Sequence, residues 1–414
     1  MPDDTDALIN LSNLAVPQVG SLQATGDLFE PYRVLDGYGA PIAAAAAYFG
    51  ELTACGRPAT TQRSYGMDLL RWFRFLAAVG VDWDQATRVE ARDFCRWLAL
   101  APKQLRPHWR RRDDDAPPAR QQPAPNARTG KAAPGPRYAP ATVAHAESVL
   151  RAFYDFHLEE GTGPMVNPFP LARGARRARA DAHHNPLEPF AHTRRGRYRP
   201  KLTEHVPRVI PDAAFDELFA KLSSHRDRAL VAFYVSSGVR ASELLGTTVG
   251  DADPGQQLIT VVRKGSRALQ QVPASPDAFV WLRLYQVELD DVPTGRDQPL
   301  WWTLRRPRRP LSYDAARAMF NRANGALGAN WSLHDLRHTA AHRMARDPSV
   351  PLADIQWVMG HAQLSTTERY LHPLATDVIE TMLAFYKRRP ERPSVVAEGY
   401  RRESLEALFG TGPQ

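Results

Sequence analysis

The stretch SGVRASELLG, residues 237–246, decides the fold of the second half of the chain, because it places a glycine and an arginine directly after an apolar run. Residues 226–236 are predicted to form a helix, and Gly238 stands where a helix C-terminus favours glycine. Arg240 follows at once, and Glu243 lies one helical turn beyond it. Taken alone, Arg240 is equally well explained as half of a surface salt bridge.

A second motif, HDLRHT at residues 334–339, carries polar residues at helical spacing. His334 and Arg337 are three positions apart, so both project from one helical face. His338 repeats the spacing four residues after His334, and we expect it to pack rather than to bind phosphate.

A third motif, MGHAQLSTTERYLH at residues 359–372, lies close to the C-terminus. Gly360 stands where a helix should stop, which places the imidazole of His361 at the carbonyl-rich end of that helix. Tyr370 follows nine residues later and is predicted to lie on a short helix.

Alternating apolar residues at 258–262 and 269–272 flank the turn RKGSR. This pattern predicts a short β-hairpin with Lys264 in its turn. Further helices are predicted to begin at about residues 212, 276, 312, 333 and 351. Together these elements predict a mixed, mostly α domain with a small β-sheet over residues 207–386.

The first half of the chain has a helical pattern over residues 41–170 and predicts an all-helical domain. Its helices are expected to run from Pro41 to Gly56, from Thr61 to Gly80, from Thr87 onward and from Pro140 to Gly161. An insertion at 101–138, rich in proline and arginine, interrupts this domain without dividing its core. Residues 1–40 show no sustained periodicity and are expected to form a loosely ordered acidic leader.

Charge is unevenly distributed along the chain, whose formal net charge is +8. Residues 1–40 carry a net charge of −5, residues 101–138 carry +6 and residues 171–209 carry +7. We expect the two basic stretches to follow a polyanion such as nucleic acid, with solvated linkers as the alternative, and residues 171–206 to be an extended interdomain linker. A further basic stretch, LRRPRRP at 304–310, is expected to be a loop that follows phosphates.

Composition excludes several classes of protein. The chain has 414 residues, of which 43% are apolar, but lacks the apolar run of about 20 residues that a membrane-spanning helix needs. Its acidic N-terminus lacks the features of a secretory signal, and two cysteines are too few for a disulfide framework or a four-cysteine zinc site. We therefore expect a cytoplasmic protein that uses neither a metal nor another cofactor and does not bind a membrane.

Taken together, the motifs resemble those of the tyrosine recombinases, the phage integrase family. SGVRASELLG resembles the family's first arginine box, VVRKGSR its β-turn lysine, HDLRHT its His-x-x-Arg box and MGHAQLSTTERYLH its Gly-His box. The resemblance covers about residues 207–375, in the family's order, while the helical domain matches only the general pattern of its core-binding, SAM-like domain. It implies the DNA breaking-rejoining fold for the catalytic domain.

The resemblance also implies a role for each of these residues. Tyr370 would attack a DNA phosphodiester and form a 3'-phosphotyrosyl link, which conserves bond energy. Arg240 and Arg337 would hold the non-bridging oxygens, because a guanidinium donates paired, charge-assisted hydrogen bonds. Lys264 would protonate the leaving 5'-oxygen, although Arg263 or Arg267 could be confused with it.

The remaining candidates are two histidines and a carboxylate. His334 and His361 are expected to orient or protonate phosphate oxygens, and His334 is also a candidate acceptor of the phenolic proton. Glu243 is expected to orient an active-site side chain.

The leading hypothesis is a site-specific recombinase that acts on double-stranded DNA with an inverted-repeat site, as a dimer on each site and a tetramer in synapsis. The leader and the insertion favour an integrase or transposase of a mobile element over an Xer-type chromosome resolution recombinase. A topoisomerase IB-like relaxase and an inactive DNA-binding regulator are further alternatives. The tail, residues 387–414, could dock on a neighbouring protomer, as terminal helices of the family do, or fold back on its own domain.

Overall fold

The computed structural model describes residues 10–11, 13–103, 124–132, 135–172, 195–202, 207–289, 291–293, 295–368, 370, 382–383, 403 and 406. The chain divides into two compact units. The first comprises residues 1–125 and 132–204, and the second comprises residues 126–131 and 205–414. Each unit has its own hydrophobic core.

The first unit is built mainly from helices whose ends follow from local sequence. They are α1 (Ala43–Ala54), α2 (Ala59–Val79), α3 (Arg88–Leu100) and α4 (Pro140–Glu159), with a 3-10 turn at Trp83–Gln85. A capping box begins α3, because Thr87 accepts from the backbone N–H of Val89 while Glu90 accepts from the N–H of Thr87. Gly80 ends α2 in the left-handed conformation.

Aromatic side chains fill the core of the first unit. Trp72 lies against Phe75, Phe94 and Phe169 with ring centroids 5.1–6.0 Å apart. Its indole N–H donates to Oη of Tyr154 over 2.9 Å, and that hydroxyl donates to a backbone carbonyl over 2.8 Å. The polar atoms of this buried pair are therefore satisfied within the core.

The expectation of a loosely ordered leader over residues 1–40 is wrong for residues 21–35. There β1 (Ser21–Ala24) and β2 (Tyr32–Leu35) pair antiparallel, and Val34 is buried in the core. Arg74 of α2 donates to the backbone carbonyls of Val19 and Gly20 beside this sheet. Each strand is only four residues long, too short for an alternating pattern to stand out from the acidic residues around it.

The second unit is mostly helical, as predicted. Its helices are α5 (Asp212–Ala220), α6 (His225–Ser237), α7 (Ala241–Leu245), α8 (Pro276–Val287), α9 (Tyr313–Ala326), α10 (Leu333–Arg346), α11 (Leu352–Met359) and α12 (Leu364–Glu368). Helix α6 is buried on most sides and packs against α8 and α10. Its Phe233 contacts Phe279 and Trp301 edge to face, so aromatic packing anchors the centre of this unit.

The predicted hairpin is confirmed as β4 (Leu258–Val262) paired with β5 (Leu269–Pro273). A 3-10 turn at Val249–Asp251 leads into a short third strand, β3 (Ala252–Asp253), which pairs with β4 and was not predicted. Residues 264–267 form the loop of the hairpin, where Gly265 and Arg267 have positive φ angles. This loop carries Lys264, which is exposed, at the turn end of the hairpin.

One piece of the basic insertion lies on the second unit. Asn126 donates to the backbone carbonyl of Gly328 over 2.8 Å, and Arg128 pairs with Glu217 over 2.5 Å. The sequence did not predict this contact, because the insertion has no apolar periodicity to mark a docked segment.

Several predicted features lie outside the described residues. They include most of the insertion, most of the 171–206 linker and nearly all of the 387–414 tail. Within the described part of the chain, every helix is too short or too polar to cross a lipid bilayer.

Candidate active site

Glu243 is the carboxylate around which the site is built. It lies on α7, is 4% exposed, and its Oε2 accepts the backbone N–H of Arg240 over 3.0 Å. Its Oε1 accepts the backbone N–H of Lys264 over 2.9 Å, which ties the hairpin loop to α7. Burial acts to raise the pKa of Glu243, but these hydrogen bonds and the guanidinium of Arg240 outweigh it, so the pKa lies below its usual range.

Two arginine side chains reach the same carboxylate. Arg240 donates from Nη1 to Oε1 over 2.8 Å and remains partly accessible, whereas Arg263 donates from Nη1 to Oε2 over 3.1 Å and is 4% exposed. Arg263 also donates to Gln270 on the neighbouring strand and to the carbonyl of Val358 at the end of α11. Arg263 therefore joins three elements of the fold, while Arg240 keeps a face toward solvent.

Lys264 lies beside Arg263 but has a different environment. Its side chain is exposed in the hairpin loop, and among the described residues its ammonium group has no hydrogen-bond partner. Of the three basic residues considered for this turn, Arg263 is buried, whereas Lys264 and Arg267 are exposed. The structure brings the backbone of Lys264, but not its ammonium group, into contact with the rest of the site.

Arg337 occupies a buried position between two helix ends. It lies on α10 and is 3% exposed; Nη1 donates to the carbonyl of Gly238 over 2.6 Å and Nη2 donates to that of Met359. These carbonyls belong to the C-terminal ends of α6 and α11, where backbone oxygens lack helical partners. Burial, and then the charge of Arg240, lower the pKa of Arg337 to about 10, so it stays protonated at neutral pH.

Both helix ends require glycine. Gly238 and Gly360 have φ angles of +63° and +59°, a region that residues with a Cβ rarely adopt. A Cβ on Gly238 would lie 2.6 Å from Sδ of Met359, and one on Gly360 would lie 2.9 Å from Nε of Arg263. These glycines therefore end the helices and also make room for their neighbours.

His361 is held as a neutral imidazole. Its Nε2 lies 3.0 Å from Nη2 of Arg337, which can only donate, so Nε2 accepts and Nδ1 carries the proton. Nδ1 in turn lies 2.9 Å from Oγ1 of Thr367. Burial, and then the charge of Arg337, lower the pKa of His361 to about 4. At neutral pH it is a hydrogen-bonding group rather than an acid.

Tyr370 lies beside His361 and His338. It is 7% exposed and packs with Ala341, Ile355 and Met359. Its ring stacks on that of His361, with centroids 6.2 Å apart and planes 9° apart. Tyr370 lies in a turn just after α12, not within a helix as we expected, because α12 ends at Glu368.

The hydroxyl of Tyr370 contacts a residue that we expected only to pack. Oη of Tyr370 lies 2.7 Å from Nδ1 of His338, a contact that the sequence did not predict. His334, the expected acceptor of the phenolic proton, instead packs its ring against that of His338 with centroids 4.2 Å apart. Partial burial and the charge of Arg337 lower the pKa of His334.

The residues of the site therefore form two connected groups. Arg240 shares Glu243 with the backbone of Lys264, and contacts link Arg337, His361, Tyr370, His338 and His334 in a chain. The charge of Arg240 also acts on both Arg337 and His361. The arrangement concentrates positive charge beside a phenol, which suits the stabilisation of an anion.

Two family models match parts of the chain. The family model described as the phage integrase family matches residues 208–376, and that described as the phage integrase N-terminal SAM-like domain matches residues 46–106.

Curated relatives include bacterial tyrosine recombinases. The XerC protein of Corynebacterium efficiens is 29% identical over 202 residues, which are 46% of this chain and 61% of that protein. The XerD protein of Lacticaseibacillus casei is 26% identical over 241 residues, which are 56% of this chain and 73% of that protein. The chain thus spans about three fifths of the first relative and about three quarters of the second.

Solved structures share the fold. The XerH site-specific recombinase in a post-cleavage complex with palindromic difH substrate has a TM-score of 0.54 at 13% identity, over 83% of this chain and 85% of that chain. The Tn1549 transposon integrase in complex with circular intermediate DNA has a TM-score of 0.52 at 15% identity, over 82% of this chain and 98% of that chain. From the two family models and these relatives, we conclude that the chain belongs to the phage integrase family of tyrosine recombinases.

Proposed function

We propose that the chain is a site-specific DNA recombinase that cuts and rejoins strands through a 3'-phosphotyrosyl intermediate. The observation that carries this proposal is the contact chain from Arg337 through His361 to Tyr370, which brings the phenol within electrostatic range of a buried guanidinium. The sequence separates these residues by up to 33 positions, and their convergence is what an attack on phosphate requires.

The two arginines suit the binding of a phosphodiester. Three N–H groups of Arg337 donate to the carbonyls of Gly238 and Met359 and to His361, which fixes the plane of the guanidinium. Arg240 is held by one N–H and keeps an accessible face. The charge of Arg240 lowers the pKa of Arg337, so an anion that contacts both guanidinium groups is favoured, and this gain increases as negative charge develops on the phosphate oxygens.

The attacking phenol has a large barrier to overcome. With a reference pKa of about 10, a tyrosine is ionised to about one part in a thousand at pH 7, which corresponds to about 4 kcal/mol. Nearby cations reduce this cost as the phenol loses its proton. The leaving 5'-oxygen needs a proton in the same step, and the exposed ammonium of Lys264 is the group we assign to it.

The partner in this proposal is double-stranded DNA with an inverted-repeat site, bound by a dimer and synapsed as a tetramer. Solved structures of similar proteins support DNA as the partner. The XerH and Tn1549 structures are complexes with DNA, and a lambda integrase structure is a dimer bound to a core site. The basic stretches of this chain, at 101–138 and 171–209, would add contacts to the phosphate backbone.

For the biological role we propose an integrase or transposase of a mobile element. The added residues 1–40 and 101–138 support this role. The curated XerC and XerD relatives favour a second candidate, an Xer-type recombinase that resolves chromosomes. Mapping bound sites across the host genome separates the two, because the first predicts sites at the ends of an element and the second a single chromosomal locus.

The proposed activity is tested by trapping the covalent intermediate. A duplex selected by binding is nicked beside the cleavage position, so that the short cleaved strand diffuses away. We expect the wild-type chain to form a covalent protein–DNA adduct and Tyr370→Phe to form none. Tyr313→Phe is the matched control, because Tyr313 is an exposed tyrosine at the start of α9 and should not affect the adduct. Tight binding without an adduct from the wild-type chain would instead support an inactive DNA-binding regulator.

The clamp, by which we mean the proposed contact of Arg240 and Arg337 with the phosphate, is tested with Arg240→Ala and Arg337→Ala. We expect each variant to retain most of its DNA affinity and to form adduct about 100- to 1,000-fold more slowly, the usual effect of removing one donor to a developing oxyanion. Normal cleavage by both variants would show that the clamp is assigned wrongly. Relaxation of supercoiled DNA by a monomer, without strand exchange, would favour the topoisomerase-like alternative.

A further inference from the structure

The hydroxyl of Tyr370 is hydrogen-bonded to His338. The resemblance to the tyrosine recombinase motifs assigned no role to this histidine. Oη of Tyr370 lies 2.7 Å from Nδ1 of His338, with ring centroids 5.6 Å apart and planes 45° apart. We propose that His338 is a catalytic base that takes the phenolic proton when Tyr370 attacks phosphorus. This inference rests on the proposed recombinase function.

The ring of Tyr370 is held by packing on more than one side. The ring of Tyr370 is stacked on His361 and packed against Ala341, Ile355 and Met359. Its hydroxyl contacts α10 at His338, which lies on the helix turn that also carries Arg337. The group that binds phosphate and the group that receives the proton are thus neighbours on one rigid element.

His334 is less well placed for this role. Its ring lies edge to face against that of His338, at 4.2 Å between centroids and 70° between planes, so it supports the orientation of His338. The two histidines are one helical turn apart, and the structure places the second of them at the phenol. His334 then remains a candidate for contacting phosphate oxygens.

With His338 as the base, each proton that moves in the reaction has both a donor and an acceptor. In the forward step the bond from Oη to phosphorus forms, the bond from phosphorus to the 5'-oxygen breaks, and the phenolic proton moves to Nδ1 of neutral His338. The leaving 5'-oxygen takes a proton from the ammonium of Lys264. In the reverse step an incoming 5'-hydroxyl gives its proton to the neutral amine of Lys264, and the departing phenolate recovers its proton from His338.

The first experiment compares two substitutions in the adduct assay on nicked duplex. His338→Asn places an amide where Nδ1 stands, so it preserves a hydrogen bond to Oη but cannot accept a proton, whereas His338→Ala removes both. We expect both variants to slow adduct formation by about 100- to 1,000-fold, within the range of general base catalysis, with DNA affinity unchanged. His225→Gln is the control, because His225 lies on α6 and pairs with Glu288. Near-normal cleavage by His338→Asn would overturn the inference and leave His338 with a positioning role.

The second experiment separates the base from the acid. A duplex with sulfur in place of the bridging 5'-oxygen has a thiolate leaving group, which needs no proton because a thiol has a pKa of about 8.5. We expect this substrate to restore cleavage by Lys264→Ala but not by His338→Asn or His338→Ala. Restoration of the His338 variants would overturn the inference, because it would place their defect at the leaving group.

A third measurement, the rate of His338→Ala with added imidazole, tests whether this variant lost a base or only its local structure. Added imidazole should increase the rate of His338→Ala, because it can occupy the vacated space and accept the proton, and should not affect Lys264→Ala. Failure of imidazole to act, together with lost DNA affinity, would count against a catalytic role. Different results would overturn the inference and the proposed function. If the wild-type chain forms no adduct, the recombinase proposal fails. If the wild-type chain and His338→Asn both form adduct, only the assignment of His338 as the base fails.

Discussion

Two buried glutamates, one in each unit, show how differently the fold treats the same side chain. Glu147 on α4 is fully buried, and burial raises its pKa. Glu243 on α7 is 4% exposed, yet its pKa is lowered. Depth of burial therefore does not decide which form of the carboxyl is favoured.

The number of donors explains the difference. Glu147 accepts from Arg151 at one oxygen, and its Oε1 has no hydrogen-bond partner among the described residues. Glu243 accepts from two backbone N–H groups and from two guanidinium groups. Hydrogen bonds to the charged form offset the cost of removing it from water, so only Glu243 is stabilised as an anion. The second unit thus keeps a fixed negative charge that orders the cations of the site.

The largest expected effect comes from deleting the better-satisfied carboxylate. Glu243→Ala leaves the guanidinium of Arg263 buried without its anion, and we expect a loss of about 3–5 kcal/mol in the free energy of unfolding of the second unit. Hydrogen exchange of amides in α6 and α10 measures it. Glu288→Ala is the control, because Glu288 is an exposed partner of His225, and it should cost no more than about 1 kcal/mol. Equal losses would mean that Glu243 has no special role in stability.

Substitutions at two glycines test how tightly Arg263 is packed. Gly80 and Gly360 both end helices with positive φ, but an added Cβ meets nothing within 4 Å at Gly80 and lies 2.9 Å from Arg263 at Gly360. We expect Gly80→Ala to cost about 1 kcal/mol from backbone strain and Gly360→Ala about twice that, with slower adduct formation. Urea unfolding followed by hydrogen exchange in α2 and α11 compares them. A similar cost at both sites would argue against tight packing of Arg263.

Removing only the charge of Glu147 should have a small effect of the opposite sign. Glu147→Gln keeps an oxygen to accept from Arg151 and removes a poorly satisfied anion, so we expect the first unit to gain up to about 1 kcal/mol at pH 7–8. The unfolding midpoint in urea, read from amides of α4, measures this gain. Glu243→Gln is the matched variant and should lose stability under the same conditions; a loss at both positions would erase the contrast between the glutamates.

The smallest expected effect is the dependence of these differences on pH. The raised pKa of Glu147 contributes stability that is fully present below pH 4.5 and is lost as pH rises through its folded value. The lowered pKa of Glu243 contributes stability that is present above pH 4.5 and is lost as pH falls through its folded value. We therefore expect the benefit of Glu147→Gln to shrink as pH falls toward 4.5, and the cost of Glu243→Gln to shrink only below it. Urea midpoints at several pH values check both directions.

Much of the secondary structure follows from short-range signals. Thr87 with Glu90, Gly80 and Gly238 mark helix ends because the groups that satisfy those ends are neighbours in the chain. The strands β1, β2 and β3 were missed because they have four, four and two residues, and their pairing partners supply the order that their own sequences lack. Propensity over so few residues is a weak signal.

The composition of the site was predictable, but its contacts were only partly so. Spacing placed His334, Arg337 and His338 on one side of α10, and it could not decide which histidine meets Tyr370, since residues one turn apart share a face. The buried role of Arg263 was also hidden, because its partners Gln270, Val358 and Glu243 come from different elements.

The sequence by itself determined the order of the motifs, the helices that carry them and the residue types that can bind and attack a phosphate. Those properties are local, because caps, periodicity and side-chain chemistry need only neighbouring residues. Tertiary structure alone decided that Glu243 is held as an anion, that Arg337 joins the ends of two helices and that His338 meets the hydroxyl of Tyr370. Each of these depends on burial and on donors brought from distant parts of the chain, and both come into existence only when the core packs.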